Sequence, residues 1–167
     1  QEAIDILRKK GQKVAAKRGD NEAKEGLAIA KVFNGGKSGL VLALNCETDF
    51  VAKNESYYKL VESFVDLAIK TRPASVEALM NEKYDSSLTV AEKITEQVGV
   101  IGEKLEISNL SIIDAEAVIA YNHPGNQIAS LVGMNKGSDA ALDAGKKVAM
   151  QVASMAPIAL NKEGVDA

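Results

Sequence analysis

Cys46 and His123 are the residues of this sequence that could form a nucleophile and its base. Such a pair works only where both side chains are exposed in one cleft. Cys46 follows the apolar run at 40–44, which is typical of a buried strand, so we expect a small core residue rather than a reactive thiol. His123 precedes Pro124 and Gly125 in a loop, and is either an ordinary surface residue or a contact for a partner.

Other arrangements of side chains that carry chemistry are missing from the sequence. A single His and a single Cys exclude a metal site with two His ligands and an internal disulfide. Carboxylates are plentiful, but no spacing selects a pair for acid–base catalysis. We therefore predict no catalytic residues, no metal and no cofactor, and we expect a protein that acts by binding rather than an enzyme.

The segment GGKSG at 35–39 has the composition of a phosphate-binding loop. That motif requires a Gly five residues before Gly36, where this sequence has Lys31. The motif must also open a helix, whose N-terminal amides hold the anion, and here a strand-like run follows. We therefore predict a hairpin turn and no direct binding of nucleotide.

Thr48, Asp49, Phe50 and Val51 form what we call the corner, because a strand-like run precedes them and a helix pattern follows from Asn54. Side chains at such a turn point outward from a rigid scaffold. An apolar ring exposed there suits a pocket on a partner. From pattern alone, however, a Phe near a strand end is more often a core residue, so the exposure of Phe50 distinguishes the two interpretations.

Hydrophobic period and turn residues predict the elements that would position these side chains. Helices are expected at 2–17, where Gly11 interrupts the pattern, and at 54–72, 76–81, 89–101 and 138–156. Strands are expected at 27–33, 40–44, 105–113, 117–121 and 127–134. The expected N-caps are Asn54, Ser138 and Thr89, and Thr89 has the spacing of a capping box with Glu92. We expect the inward face of the last helix to contain Leu142, Val148, Ala149 and Val152.

Two hairpins, around the turns at 34–39 and 122–126, indicate small antiparallel sheets with helices packed on one face. We therefore predict an α+β fold with two subdomains, preceded by a basic helix. The basic linker helix is placed at 1–19 and the N-terminal core subdomain at 20–114. The C-terminal core subdomain follows at 115–157, and a tail at 158–167.

Charge and apolar content limit the possible partners. A net charge of −3 argues against bulk nucleic-acid binding, and no apolar run approaches the ~20 residues that span a bilayer. The single Cys and the lack of a signal peptide fit a cytoplasmic protein. The charge is nevertheless uneven, so a nucleic-acid-binding module is the alternative function, with a basic segment that contains Arg8, Lys9, Lys10, Lys13, Lys17 and Arg18.

The run NCETDFVAK at 45–53 resembles the signature of the bacterial translation elongation factor Ts family. The resemblance extends over nearly the whole chain, in the family's order and spacing. The further matching segments are residues 11–26, the strands around 34–36, IGE at 101–103, YNH at 121–123 and VAMQVA at 148–153.

This resemblance implies a nucleotide-exchange factor that promotes the release of GDP from the GTPase elongation factor Tu. Phe50 would insert near the magnesium and phosphate site of that partner. Asp49 would hold the geometry of the corner or contact the same surface, with Thr48 and Val51 beside it. Around Tyr121 and His123, the chain would touch another domain of the partner.

The resemblance further implies that the chain is the core region of such a protein. A small helical module with a Thr-Gly-Ala-Gly stretch usually opens the family, and nothing here matches it. The family's helical dimerisation insert has no counterpart either. Together with a first residue, Gln1, that is not Met, this suggests a processed product or a fragment. We accordingly expect an incomplete second subdomain with an unpaired sheet edge.

Overall fold

A computed structural model describes residues 2–165 of the chain, and at positions 2–5 and 8 it describes the backbone without the side chains. The helices are α1 (Glu2–Arg18), α2 (Asp49–Ala52), α3 (Glu55–Thr71), α4 (Val76–Asn81), α5 (Val90–Ile101) and α6 (Asp139–Met155). The strands are β1 (Glu25–Phe33), β2 (Ser38–Cys46), β3 (Glu106–Asp114), β4 (Ala117–Asn122) and β5 (Ala129–Met134).

The first sheet is antiparallel, with β2 between β1 and β3. The predicted hairpin is confirmed, since Leu27 lies opposite Leu44 and Ile29 opposite Leu42. Its turn includes a single 3₁₀ turn at Asn34–Gly36, where Gly35 has a φ of 64° that glycine adopts without strain. The predicted hairpin turn is therefore present at 34–37, and Ser38 and Gly39 already belong to β2.

One face of this sheet packs against α3. The apolar stripe of α3 is buried throughout, and Phe64, Val61 and Val65 are fully inaccessible to solvent. The Asn54 side chain caps the helix by accepting a hydrogen bond from the Ser56 amide. This helix therefore fixes the end of the corner that is nearest to it, because residues 53 and 54 alone separate α2 from α3.

The start and the end of α5 follow the sequence signals closely. Thr89 and Glu92 form the predicted capping box, with each side chain bonded to the other residue's backbone amide. Gly102 ends the helix with a φ of 83°, a left-handed conformation that costs glycine little. Glu103 therefore leaves the end of α5 in a fixed direction, which becomes important at the corner.

The second sheet consists of β4 and β5, and α6 packs on it. Gly39 of β2 permits close approach of the two sheets, because a Cβ there would lie 2.6 Å from a methyl group of Val118. Ala149 is buried against this sheet as predicted, but the prediction for Val148 is wrong: its side chain is 46% exposed. The buried face follows Gly145 and Ala149 at a spacing of four residues, and Val148 falls to the side of it.

The predicted α+β class, with small antiparallel sheets and helices beside them, is confirmed. The division of the chain into a basic helix, two core subdomains and a tail, with boundaries at residues 19, 114 and 157, remains a proposal. In residues 2–165, no helix is long and apolar enough to cross a membrane.

The predicted first helix is confirmed, and α1 runs through Gly11, where the apolar pattern is interrupted, without a break. Gly11 is the point where α1 meets α5. A Cβ on Gly11 would lie 2.0 Å from the Thr95 carbonyl oxygen, and one on Gly99 would lie 2.8 Å from the Gly11 amide nitrogen. The two backbones touch here because neither glycine has a side chain.

Candidate partner-binding site

The corner occupies the short connection between β2 and α3. Thr48 is the N-cap residue of α2, a single helical turn that the sequence pattern did not reveal. The Phe50 side chain on this turn is 83% exposed. Phe50 is therefore a surface residue and not a core residue, and its ring contributes little to the core of its own chain.

Glu103 binds the start of the corner. Its Oε2 accepts hydrogen bonds from the amides of Glu47 and Thr48, each at 3.0 Å, and its Oε1 accepts from the Thr48 hydroxyl at 2.6 Å. Hydrogen bonds to a charged acceptor are stronger than those between neutral groups. The Thr48 hydroxyl donates to Glu103 and accepts no capping hydrogen bond from an amide of α2. The corner is thus held by a residue 55 positions away.

Glu47 makes the reverse contact to the loop that carries Glu103. Its Oε1 accepts from the Lys104 amide at 2.6 Å, and its Oε2 accepts from Arg18 at 2.7 Å and from the Asn21 side chain at 2.8 Å. Burial acts to raise the pKa of Glu47. The hydrogen bonds from Lys104 and Asn21 and the charge of Arg18 outweigh it, so the pKa lies below its ordinary value. Glu47 is therefore a carboxylate at neutral pH that joins its own segment to the end of α1 and to the loop after α5.

Cys46 lies beneath the corner and is fully buried, as predicted. Its thiol donates a hydrogen bond to the Thr48 carbonyl, with a sulfur to oxygen distance of 3.2 Å. Burial raises the pKa of this thiol, and the neighbouring Tyr57 is also buried, with its hydroxyl bonded to the Leu44 carbonyl at 2.8 Å. A Cys46–His123 nucleophile pair therefore lacks the exposed thiol that it requires.

Asp49 is paired with Lys53 on the next turn, with 2.6 Å between Oδ2 and Nζ. The hydrogen bond from Lys53 is the main cause that lowers the pKa of Asp49. Both side chains reach solvent, at 44% and 73% exposure, so the pair is available to a partner's polar groups. Asp49 thus has an internal ion pair that a docking surface could replace.

An apolar groove of about 540 Å³ lies on one side of the corner, and we call it the corner groove. Phe50 and Val51 line one wall, and Val100 and Ile101 at the end of α5 line the other. Val100 is 56% exposed. Val51 and Ile101 are half-buried. An exposed aromatic ring beside aliphatic side chains that are only partly covered is the composition expected at the centre of a protein interface.

Tyr121 and His123 lie at the end of β4, where the Tyr121 hydroxyl is 2.9 Å from His123 Nδ1. The two side chains are bonded to each other, and within residues 2–165 the structure gives neither a hydrogen bond to the corner. The loop after them does approach the corner. Gly125, Asn126 and Gln127 line a second groove, of about 620 Å³, whose opposite wall includes Asp49 and Lys53.

Asn122, between these two residues, joins the second sheet to the first. Its side chain accepts from the Ala30 amide at 2.8 Å and donates to the Ala30 carbonyl at 2.9 Å. The Asn126 carbonyl accepts from the Ala28 amide at 2.7 Å. The loop at 122–126 thereby bonds three backbone groups on the outer edge of β1, at Ala28 and Ala30. These bonds fix the position of Tyr121 and His123 relative to the first sheet.

The basic segment lies mostly on the solvent side of α1. Lys9, Lys10, Lys13 and Lys17 are exposed, whereas Arg18 is bonded to Glu47. The Arg8 side chain lies outside the described part. A solvated helix face accounts for the four lysines, so binding of nucleic acid by this segment stays an untested alternative. Among residues 2–165 there is no group of three His, Cys, Asp or Glu side chains that could hold a metal ion.

Glu103 and Asn122 are the residues that sequence analysis missed. Both stand in segments that contributed to the resemblance, IGE and YNH, but no local pattern indicates that their side chains bind a distant backbone. A Glu directly after a helix-ending Gly is the only signal for Glu103, because a carboxylate at the negative end of a helix is unfavourable unless it has donors elsewhere.

Comparison with known proteins shows which protein family the sequence of this chain resembles. The family model described as elongation factor TS matches residues 47–167. Curated proteins named elongation factor Ts are 49% identical in Christiangramia forsetii, 46% in Amoebophilus asiaticus and 47% in Flavobacterium psychrophilum, over 98–99% of this chain. The chain spans 59% of the length of these relatives.

Proposed function

Because the chain belongs to the elongation factor Ts family, we propose that it binds elongation factor Tu in the cytoplasm and promotes the release of GDP. It does so by binding, without a chemical step and without a cofactor of its own. In this proposal the corner is the element that acts on the nucleotide site of the partner, and Phe50 and Asp49 enter near its magnesium and phosphates.

The observation that carries the proposal is the Phe50 ring, 83% exposed on a turn whose first residue is bonded at all its polar atoms. A factor that expels GDP must bind the nucleotide-free partner more tightly than the GDP-bound one, and the coupling is reciprocal. A thousandfold loss of GDP affinity needs roughly 4 kcal/mol of such differential binding. One aromatic side chain buried at an interface contributes about 2 kcal/mol or more.

The magnesium and phosphate site is a suitable target for a small insertion. Magnesium requires near-octahedral geometry, and its charge is a large part of what holds the phosphates. A ring that distorts this geometry slightly therefore weakens the binding of GDP more than it weakens the binding between the two proteins. Asp49 supports the insertion, because its carboxylate can leave Lys53 for a donor on the partner.

Tyr121 and His123 are proposed as a second contact, on another domain of the partner. Their loop is bonded to β1 through Asn122 and Asn126, so the second contact is held at a fixed distance from the corner. Two contacts on one rigid body resist the relative motion of the partner's domains better than one.

The experiment is the release of fluorescent GDP from bacterial elongation factor Tu, with the wild-type chain, Phe50→Ala and Asp49→Ala. We expect the acceleration by wild type to fall roughly thirtyfold in Phe50→Ala, the factor for ~2 kcal/mol. Ile158→Ala is the matched control, because Ile158 is 85% exposed and lies outside the corner. Equal rates for wild type and both corner variants would contradict the proposal.

A further inference from the structure

Helix α2 is too short to hold its own position. It has four residues, and an isolated helical turn of that length is unstable in water. Phe50 does not secure it, because the ring is mostly in solvent. The Thr48 side chain provides no cap for it either. The second half of the turn packs on the core through Val51 and the buried Ala52. The direction in which Phe50 projects therefore also depends on what holds the start of the turn, at Thr48.

The start of the turn is held by a pair of crossed carboxylate contacts between two loops. Glu103 accepts from the amides of Glu47 and Thr48, and Glu47 accepts from the amide of Lys104. Each loop thus supplies a carboxylate to the backbone of the other. Gly102, at a φ of 83°, turns Glu103 into this position at the end of α5.

Three charged residues lie close to Glu103 and determine how its negative charge is balanced. Glu47 lies across the pair of loops, Lys104 follows in sequence, and Arg18 neutralises Glu47. The Lys104 ammonium is bonded to the carbonyls of Gly19 and Asn21, at 2.9 and 3.1 Å. Since the basic groups are engaged with these partners, the Glu103 carboxylate is balanced mainly by the two backbone amides and the hydroxyl that it binds.

We propose that Glu103 is a positioning residue of the exchange reaction, which acts through Thr48 to fix the direction in which Phe50 is presented. This inference rests on the proposed function. Preorganisation of this kind lowers the entropy lost when a partner docks. The essential property of Glu103 is its capacity to accept hydrogen bonds at the right distance, so an uncharged acceptor of the same length can replace it.

Three substitutions separate this role from a general loss of stability. Glu103→Gln keeps the length and one carbonyl oxygen for the two amides, and its amide group can donate to the Thr48 hydroxyl. Glu103→Ala removes every contact. Glu103→Asp keeps the charge but draws the oxygens back by one methylene, and it remains informative if Glu103→Ala fails to fold.

The first measurement uses the isolated chain and does not depend on the partner. Amide hydrogen exchange of Glu47 and Thr48 is followed by NMR, with Ala68 in α3 as the internal reference for global stability. We expect both corner amides to exchange roughly tenfold faster or more in Glu103→Ala and Glu103→Asp, and near the wild-type rate in Glu103→Gln. Unchanged protection in Glu103→Asp would overturn the proposal.

The second measurement is GDP release from elongation factor Tu, with each variant in the wild-type and in the Phe50→Ala background. If Glu103 acts through Phe50, Glu103→Asp reduces the release rate in the first background and has no further effect in the second. Losses that multiply in the double variant would overturn the proposal. If the wild-type chain released no GDP, the proposed function would be overturned instead. The hydrogen-exchange measurement would still decide separately whether Glu103 holds the corner.

Discussion

Thr48 and Phe50 are two residues apart, and their surroundings are opposite. The amide, hydroxyl and carbonyl of Thr48 are all hydrogen-bonded within the chain, whereas the Phe50 ring is 83% exposed. The tip of the corner is therefore free while its base is rigid. A docking partner would bury the ring without first having to order the backbone that carries it.

The first prediction compares two phenylalanines. Phe50→Ala should change the free energy of unfolding by less than about 0.5 kcal/mol, because the side chain is exposed. Phe64→Ala removes a fully buried ring from the core and should cost about 3–5 kcal/mol. Urea unfolding followed by circular dichroism measures both. A large loss for Phe50→Ala would mean that the ring packs on its own chain.

The second prediction concerns the pH dependence of stability. The pKa of Glu47 is lowered in the folded state, so its contribution is present above the unfolded pKa of about 4.3 and is lost as the pH falls through the folded pKa. Wild type should be more stable than Glu47→Gln at pH 7, and the difference should shrink at acid pH. Urea unfolding of both proteins between pH 7 and pH 3 tests this. A difference that stays constant over this range would contradict it.

The third prediction concerns the contact between α1 and α5. A methyl group at Gly11 would meet the Thr95 carbonyl at 2.0 Å, so Gly11→Ala must push α1 away from α5. We expect faster hydrogen exchange along α1 and earlier proteolysis near Arg18. Gly19→Ala is the control, since its nearest neighbouring atom would be 3.7 Å away. Equal proteolysis of the two variants would show that the contact is not tight.

The fourth prediction concerns the junction between the sheets. Asn122→Ala removes both hydrogen bonds to Ala30 and leaves two backbone groups at the edge of β1 without them. Loss of such bonds costs about 1–3 kcal/mol, and the Ala30 amide should exchange faster. Gln127→Ala, in the same loop, should have little effect, because its hydrogen bond to Glu25 is exposed and 3.3 Å long. Protection of Ala30 that survives in Asn122→Ala would contradict the assignment.

Sequence was sufficient wherever structure depends on near neighbours. The Asn54 cap and the Thr89–Glu92 box are local hydrogen bonds, and the glycines at 35 and 36 permit the hairpin turn, so each could be predicted from the residues alone. The family resemblance drew attention to the corner, and the exposure of Phe50 agrees with that expectation.

The remaining features depend on contacts between distant residues. No pattern relates Glu103 to Thr48, or Asn122 to Ala30, because 55 and 92 positions separate them and both contacts join a side chain to a backbone. Val148 was misplaced because the inward face of α6 is set by two small residues, Gly145 and Ala149, rather than by its aliphatic ones. The contact of α1 with α5 at Gly11 could not be predicted for a similar reason, since a helix contact made of backbone has no hydrophobic signature.

The Glu47 carboxylate has a mechanical consequence for the molecule. Through its hydrogen bonds, this one side chain connects the end of α1 and the loop after α5 to the backbone that leads to Phe50. Lifting α1 would strip Arg18 and Asn21 from this carboxylate and leave a negative charge beside Glu103. A displacement at the end of the first helix would therefore act on the segment that leads to Phe50, more than thirty residues further along the chain.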